Sequence, residues 1–173
     1  MMRVYVPATL PMVARLVADG EVAAVNNTAF AVTPALREAY AEGDDDELAE
    51  VALAEAALAA IRLLAAELPD GNPGPDPMAR PRRVVLVAES EPVTLRPDLD
   101  DAVVRLAGPV RLDQLAAAFV DNAAAEPAVT AAIGVIDAAD LGDEDAELTV
   151  GDAQDHDLAW YATQELPFLL EFL

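Results

Sequence analysis

The sequence of 173 residues contains no cysteine and no lysine, and it contains only one serine and one histidine. The absence of cysteine excludes disulfides, thiolate nucleophiles and cysteine-ligated metals. Without lysine, and without a glycine-rich turn after any predicted strand, the usual phosphate-binding loop is excluded as well. We therefore expect no bound cofactor.

Long apolar runs are also scarce. The longest run near the start of the chain, residues 12–18, is interrupted by Arg15. It is too short to span a bilayer and would make a poor signal-peptide core. The sequence therefore predicts a cytoplasmic protein with no membrane partner.

Positive charge is sparse and unevenly distributed. The formal net charge is -22 at pH 7, and residues 113–173 contain fourteen acidic residues but no lysine or arginine. Such a field repels nucleic-acid backbones and anionic lipid surfaces. We expect no nucleic-acid partner, and basic proteins or metal cations are the partners that the charge favours.

The residues that are present predict one folded domain. Apolar residues make up 54% of the chain and the mean hydropathy is +0.26, which is typical of a globular core rather than of a disordered chain. Residues 69–81 include five prolines and two glycines and predict a loop. An isolated strand at residues 4–6 needs partners from beyond this loop, so we predict a single domain over residues 1–173.

Hydrophobic patterns predict strands alternating with helices. The predicted strands are residues 4–6, 84–88, 115–122 ("LAAAFVDN") and 158–162 ("LAWYA"), with a hairpin around Gly108 and Pro109. The predicted helices are a segment from Thr9 to Gly20, a segment capped by Thr33 and stopped by Gly43, and residues 47–68, 125–136 and 163–173. This order predicts an α/β fold, with α+β as the alternative, in which helices flank a mixed sheet of about five strands.

Four segments, "MRVYVPATL", "AFAVTPALREAYAEGD", "VVLVAE" and "LAWYATQEL", carry a resemblance to a known family. They resemble the recurring segments of a small actinobacterial protein family of unknown function, and the likeness extends over most of the chain. Abundant alanine and the use of arginine in place of lysine agree with a genome rich in G and C. The resemblance implies no activity, so it assigns no functional residue.

Catalytic motifs are weak in this sequence. Ser90 and His156 are the only candidates for a serine triad, but Ser90 lies in "AESEP" rather than in a nucleophile elbow. Glu89 and Glu91 would share one face of a strand, yet carboxylate pairs are too common in so acidic a chain to indicate general acid–base chemistry. We assign no catalytic residue.

Two charged segments suggest ion binding only weakly. Residues 137–157 are rich in the oxygen ligands that Ca²⁺ and Mg²⁺ prefer, but the EF-hand glycine is missing, and we predict a solvated acidic loop rather than a metal site. Arg80, Arg82 and Arg83 form the only basic cluster. We predict that they flank a strand in solvent, with anion binding as the alternative.

We favour a non-catalytic protein-interaction or regulatory module that binds an unknown protein partner or self-associates. Apolar residues surround the predicted helix 47–68 on most sides, which indicates either a central helix or a contact with another chain. Phe168 and Phe172 widen the apolar surface of the last helix and form a candidate partner surface. Around them, a leucine stripe from Leu166 to Leu173 and a strand with Trp160 and Tyr161 on opposite faces predict core packing.

The alternative is a small-molecule-binding protein or an enzyme. In open α/β sheets, ligands bind beyond the carboxyl ends of the strands. The polar residues at or just past the predicted strand ends are Thr9, Glu89, Asn122 and Thr163. If this hypothesis is right, these four side chains converge on one deep pocket.

Overall fold

The computed structural model describes residues 1–68 and 75–173. Within these ranges, strands and helices alternate along the chain. The strands are β1 Met2–Ala8, β2 Glu21–Val22, β3 Thr28–Phe30, β4 Val84–Ser90, β5 Val93–Leu95, β6 Val103–Leu106, β7 Val110–Arg111, β8 Leu115–Val120 and β9 Ala159–Tyr161. The α-helices are α1 Leu10–Asp19, α2 Pro34–Ala39, α3 Asp45–Glu67, α4 Glu126–Asp140, α5 Glu144–Gln154 and α6 Leu166–Glu171.

Seven strands form one antiparallel sheet in the order β5-β6-β3-β1-β4-β8-β9, and β2 pairs with β7 in a small second sheet. β1 pairs with β4 along its whole length, from Met2 opposite Ser90 to Ala8 opposite Val84. β4 in turn pairs with β8. Strands from before and after the proline-rich segment are therefore direct neighbours at the centre of the sheet.

Both faces of the central strands are covered, which explains why β1 and β4 are continuous apolar runs rather than alternating ones. On one face, here called the α1 face, β1 and β4 pack with α1 and α6 in a core that includes Val6, Leu86 and Leu166. On the other, the α3 face, Tyr5 and Val87 pack beneath α3.

The long helix α3 lies between two layers. Its alanines, among them Ala52 and Ala56, face the sheet, and small side chains allow a close approach. Its other side presents Ile61 and Leu64 to the core that α4 and α5 share. Contacts on two sides explain the broad apolar surface of this helix within a single chain.

The expected arrangement of a sheet flanked by helices is confirmed. The strand count and direction are not as expected, because the main sheet has seven strands, all antiparallel, instead of about five in a mixed sheet. The direction of β9 depends on α5. Val120, at the end of β8, is opposite Ala159, at the start of β9, so α4 and α5 together return the chain to the end of the sheet that it left.

The prediction of an acidic loop at residues 137–157 is wrong. The first part belongs to α4, and most of the rest is α5. Asp143 caps α5 by accepting a hydrogen bond from the backbone N–H of Ala146 at 2.9 Å. The acids that follow in the first turn suit the positive end of a helix dipole, so acidic composition here starts a helix instead of preventing one.

The predicted hairpin around Gly108 and Pro109 is also wrong. β6 lies between β5 and β3, whereas β7 pairs with β2 in the second sheet. Three strands that the sequence did not indicate, β2, β3 and β5, have only two or three residues each. Such short strands are specified by their neighbours rather than by a pattern of their own.

Two helix ends were predicted correctly, whereas Gly43 does not stop α2, which ends at Ala39. Thr33 caps α2 by accepting a hydrogen bond from the N–H of Leu36, and Gly20 ends α1 in the left-handed conformation at φ 80°. The predicted loop at 69–81 lies partly outside the described residues, since it includes 69–74. Residues 75–83 contain neither helix nor strand.

Candidate functional site

The four polar residues predicted at strand ends lie at two opposite ends of the sheet. Ala8, Val84 and Val120 are aligned across β1, β4 and β8, so Thr9 and Asn122 follow at one end. Glu89 is opposite Arg3 at the other end. Thr163 joins Glu89 there, because its hydroxyl donates to the carbonyl of Leu115 at 3.0 Å. The structure does not bring the four into one pocket.

A buried ion pair occupies the first of these ends. The guanidinium of Arg83 donates from Nε and Nη2 to the two carboxylate oxygens of Asp121, each at 2.8 Å. The backbone N–H of Arg83 donates to the same carboxylate at 2.8 Å. Side-chain exposure is 3% for Arg83 and 0% for Asp121. With three hydrogen bonds to its oxygens, this carboxylate is well satisfied inside the protein.

The same arginine also holds the segment before β9. Its Nη2 atom donates to the backbone carbonyl of His156 at 2.8 Å, which ties the segment after α5 to the start of β4. The pair joins segments of the same chain, and its carboxylate accepts three hydrogen bonds from Arg83, so we assign it a structural role. We did not predict this pair, and the prediction that Arg83 lies in solvent is wrong.

Other polar contacts at this end are likewise internal. Thr9 is fully buried at the start of α1, yet its hydroxyl does not cap the helix and instead donates to Glu67 at 3.0 Å. Arg82 pairs with Glu126 at 2.8 Å. Asn122 is exposed and makes no side-chain capping bond. This end of the sheet is therefore closed by contacts within the chain.

A groove opens on the α3 face beside β9. It is a cavity of about 310 Å³ between α3 and strands β1, β4, β8 and β9. We call it the Trp160 groove, and its walls are Arg3, Tyr5, Ala49, Glu50, Leu53, Val87, Ala116, Ala117, Phe119 and Trp160. A neighbouring cavity of about 540 Å³ shares Glu50, Leu53 and Phe119 with it and continues toward His156 and Asp157.

Trp160 is the most exposed aromatic side chain of this groove. It is 59% exposed and lies opposite Phe119 in the pairing of β9 with β8. Burial raises the pKa of Tyr5 in the same wall, because the charged phenolate is poorly solvated there. The phenol of Tyr5 is thus a neutral polar group in a mostly apolar surface.

A second apolar surface lies on the α1 face, directly after β9. We call it the Phe168 patch, and it consists of Tyr161, Glu165, Phe168, Leu169 and Phe172 around a cavity of about 330 Å³. Phe168 and Phe172 are 62% and 84% exposed. Tyr161 packs against the core of the α1 face, which confirms that Trp160 and Tyr161 point to opposite faces.

The C-terminal segment thus combines core and surface residues. Leu166 is fully buried, Leu169 is nearly so, and Leu170 and Leu173 pack partly against the same core, which confirms the leucine stripe. The phenylalanines do not join them. Aromatic side chains that remain this exposed on a folded chain are more typical of a binding surface than of packing.

Catalytic and metal chemistry find little support in the described residues. Ser90 ends β4 opposite Met2, whereas His156 lies at the other end of the sheet beside Arg83, so the two cannot act as a pair. Within residues 1–68 and 75–173, no group of three or more carboxylate or imidazole side chains is placed to hold a metal ion. In the same ranges, no helix combines the length and apolar character that a membrane crossing requires.

These features define the class of protein. It is a seven-stranded antiparallel sheet flanked by helices, with paired polar groups at one end of the sheet and exposed aromatic side chains at one edge. The chain belongs to a family described as "Family of unknown function (DUF6912)", whose model matches residues 2–170. The expected membership of a family of unknown function is therefore confirmed. No curated protein and no solved structure matches the chain.

Proposed function

We propose that this protein acts without catalysis, as a protein-interaction or regulatory module of the cytoplasm, and that it binds its partner through β9 and the surfaces beside it. One observation carries the proposal. Trp160, Phe168 and Phe172, each more than half exposed, lie within thirteen residues of one another at one edge of the sheet. Aromatic residues of this kind are enriched in the energetic centres of protein interfaces.

Self-association is now less well supported than binding to a different protein. The sequence suggested self-association through the wide apolar surface of the helix at residues 47–68, and that surface is covered within the chain by the sheet, α4 and α5. A chain with a net charge of -22 also repels its own copies. A partner of different sequence is therefore the better-supported form of the proposal.

Site-specific photo-crosslinking in the native cell tests the proposal. Benzoylphenylalanine is introduced in place of Trp160, Phe168 or Leu148, one position at a time. Leu148 is the matched control, since it is 70% exposed but lies on α5. We expect one protein to cross-link at positions 160 and 168 and not at 148. Equal adducts at all three positions, or none at 160 and 168, would contradict the proposal.

A small-molecule function is the second candidate, and the Trp160 groove is the observation that favours it. Its volume of about 310 Å³ lies at the lower end of the range for ligand pockets, roughly 300–1,000 Å³. Thr9, Glu89, Asn122 and Thr163 do not form a common site for it. Native mass spectrometry of the purified protein should then show a bound compound that is lost on replacing Phe119 and Trp160 with alanine.

We further propose that the chain works as one domain. β1 and β4 are paired at seven positions although the proline-rich segment separates them in sequence. Proteolysis between Pro69 and Pro81 should therefore leave two fragments that co-elute in size-exclusion chromatography. Fragments that separate and remain folded would instead show two independent domains.

A further inference from the structure

Among residues 1–68 and 75–173, β9 is the outer strand of the seven-stranded sheet and pairs only with β8. Edge strands present unpaired backbone N–H and C=O groups, and proteins usually protect them with charged residues, proline or a covering segment. Ala159, Trp160 and Tyr161 supply neither charge nor proline, and all three are partly or fully exposed. This edge is open to pairing with another chain.

The surfaces beside β9 fit an extended segment. Side chains of a strand point alternately to the two faces of its sheet. A segment paired with β9 would therefore direct one set of side chains toward the Trp160 groove and the other toward the Phe168 patch. Apolar surface is available on both faces at the same edge, which a helix docked on one face would leave half unused.

The charge beside this edge is negative. Both arginines in the cavity walls are already paired, Arg3 with Glu89 at 2.9 Å and Arg83 with Asp121 at 2.8 Å. The exposed wall acids Glu50, Asp157 and Glu165 take part in none of the ion pairs found among residues 1–68 and 75–173. An exposed tryptophan face additionally attracts guanidinium and ammonium groups.

We infer that β9 binds an extended, basic segment of another protein by strand addition, with basic side chains against the acids and apolar side chains against the aromatic surfaces. The inference rests on the proposed function and specifies the chemistry of the partner. In this mode, main-chain hydrogen bonds supply affinity, and the alternating side chains supply specificity. A second copy of this chain is disfavoured, because both edges would carry the same negative charge.

A peptide experiment tests strand addition directly. The probe is an acetylated and amidated eight-residue peptide that alternates arginine with valine. Trp160 is the only tryptophan of the chain, so its fluorescence reports binding at this edge without a label. We expect a saturable change in its emission that weakens as the salt concentration rises.

Two matched peptides separate strand pairing from simple charge attraction. N-methylation of the four central amides removes backbone donors on both edges of the peptide and keeps its charge, and it should weaken binding at least ten-fold. Glutamate in place of every arginine should abolish binding. Equal affinity of the methylated and unmethylated peptides would overturn the inference, and so would the absence of saturable binding by the arginine peptide.

Variants of the protein locate the binding surface. Phe168→Ala keeps the tryptophan signal and should weaken binding of the arginine peptide several-fold, whereas Leu148→Ala should leave it unchanged. An equal effect of the two substitutions would place the peptide elsewhere and contradict the inference. If a partner cross-links at position 168 but the peptides do not bind, strand addition fails and the proposed function stands. If the peptides bind as expected but no partner cross-links, β9 accepts an added strand, but the proposed function fails, and the inferred protein partner fails with it.

Discussion

The end of the sheet at Arg83 and the edge at β9 differ in burial. Charged groups are buried at the first, whereas aromatic side chains are exposed at the second. At Arg83, a guanidinium and a carboxylate are buried together, and the neighbouring His156 carbonyl and Thr9 hydroxyl also have partners within the chain. At β9, aromatic side chains remain exposed beside a strand that has one neighbour in the described part of the chain. The charges of the first region are satisfied within the chain, whereas the apolar surface of the second region remains in contact with solvent.

The difference separates structure from function in a chain without a catalytic motif. A buried pair of opposite charges is costly to desolvate, so it persists only with good geometry and full hydrogen bonding. Exposed aromatic side chains gain nothing for the isolated fold. We therefore expect substitutions at Asp121 to change stability and substitutions at Trp160 or Phe168 to change binding, and each prediction below tests that division.

The largest effect is expected at the buried pair. Asp121→Ala leaves Arg83 buried without a counter-charge and should lower the free energy of unfolding by about 3–5 kcal/mol. Trp160→Ala removes an exposed side chain and should change it by no more than about 0.5 kcal/mol. Urea denaturation followed by circular dichroism measures both.

A rescue variant keeps this test decisive if Asp121→Ala does not fold. The double replacement Arg83→Met with Asp121→Leu removes both charges and should recover most of the lost stability. If the single substitution is harmless, or if Trp160→Ala destabilises equally, the division between a structural end and a binding edge is not supported.

A smaller effect is expected within α6, where neighbouring residues face core and solvent. Leu166 is fully buried, and Leu166→Ala should cost about 2–5 kcal/mol of unfolding free energy. Phe168, which is 62% exposed, should cost no more than about 0.5 kcal/mol when changed to alanine. Similar losses at the two positions in thermal melts would show that the phenylalanines serve the fold.

The sequence predicted the buried strands and the helix ends better than the short strands and the exposed edge at β9. β1, β4 and β8 were found because strands buried on both faces leave continuous apolar runs, and Thr33 and Gly20 were found because helix ends demand particular residues. β2, β3 and β5 were missed because two or three residues carry no periodic signal. α5 was missed because its first turn resembles a solvated acidic loop, although α4 and α5 together return the chain to the end of the sheet where β9 begins.

The candidate site was only partly predictable. Phe168 and Phe172 were singled out because they lie beside the leucine stripe rather than on it. Trp160 was expected in the core, because the local sequence does not show that its side chain would remain 59% exposed beside α3. Asp121 and Arg83 resembled solvent-exposed residues at strand ends. The one available signal was that each directly adjoins a strongly apolar strand, where an unpaired charge would be costly.

A pH-dependent effect is expected in the covered helix α3. Burial, followed by the nearby Asp100 carboxylate, raises the pKa of Glu55. An acid with a raised pKa in the folded state is most favourable below its unfolded pKa, near 4.3, and it lowers stability as pH rises above that value. Glu55→Gln should therefore stabilise the protein at pH 7 by about 0.5 kcal/mol, and the gain should shrink toward acidic pH.

Thermal melts of both proteins from pH 8 down to about pH 4.5 measure this trend, since the gain shrinks only as the pH falls through the folded pKa toward the unfolded value. Glu50→Gln is the matched control, since Glu50 is an exposed carboxylate on the same helix. A gain for Glu55→Gln that grows as the pH falls, or an equal gain for Glu50→Gln, would show that burial of Glu55 is not the cause.

A small effect is also expected for the exposed counterpart of the buried pair. Arg62 on α3 donates to both carboxylate oxygens of Asp140 on α4 at 2.9 and 2.8 Å, nearly the geometry of Arg83 with Asp121. The side chains of Arg62 and Asp140 are 45% and 42% exposed, however, so solvent screens their attraction. A double-mutant cycle with Arg62→Met and Asp140→Asn should give a coupling energy of only about 0.3–1 kcal/mol.

The hydrogen bonds from Arg62 lower the pKa of Asp140, so this coupling is fully present above the unfolded pKa, near 3.9, and is lost only as the pH falls through the lower folded value. It should therefore stay constant from pH 8 to pH 5.5 and decrease when salt is added. A coupling as large as the loss caused by Asp121→Ala would mean that geometry rather than burial sets the strength of these pairs, and the contrast between the closed end and the rest of the surface would no longer hold.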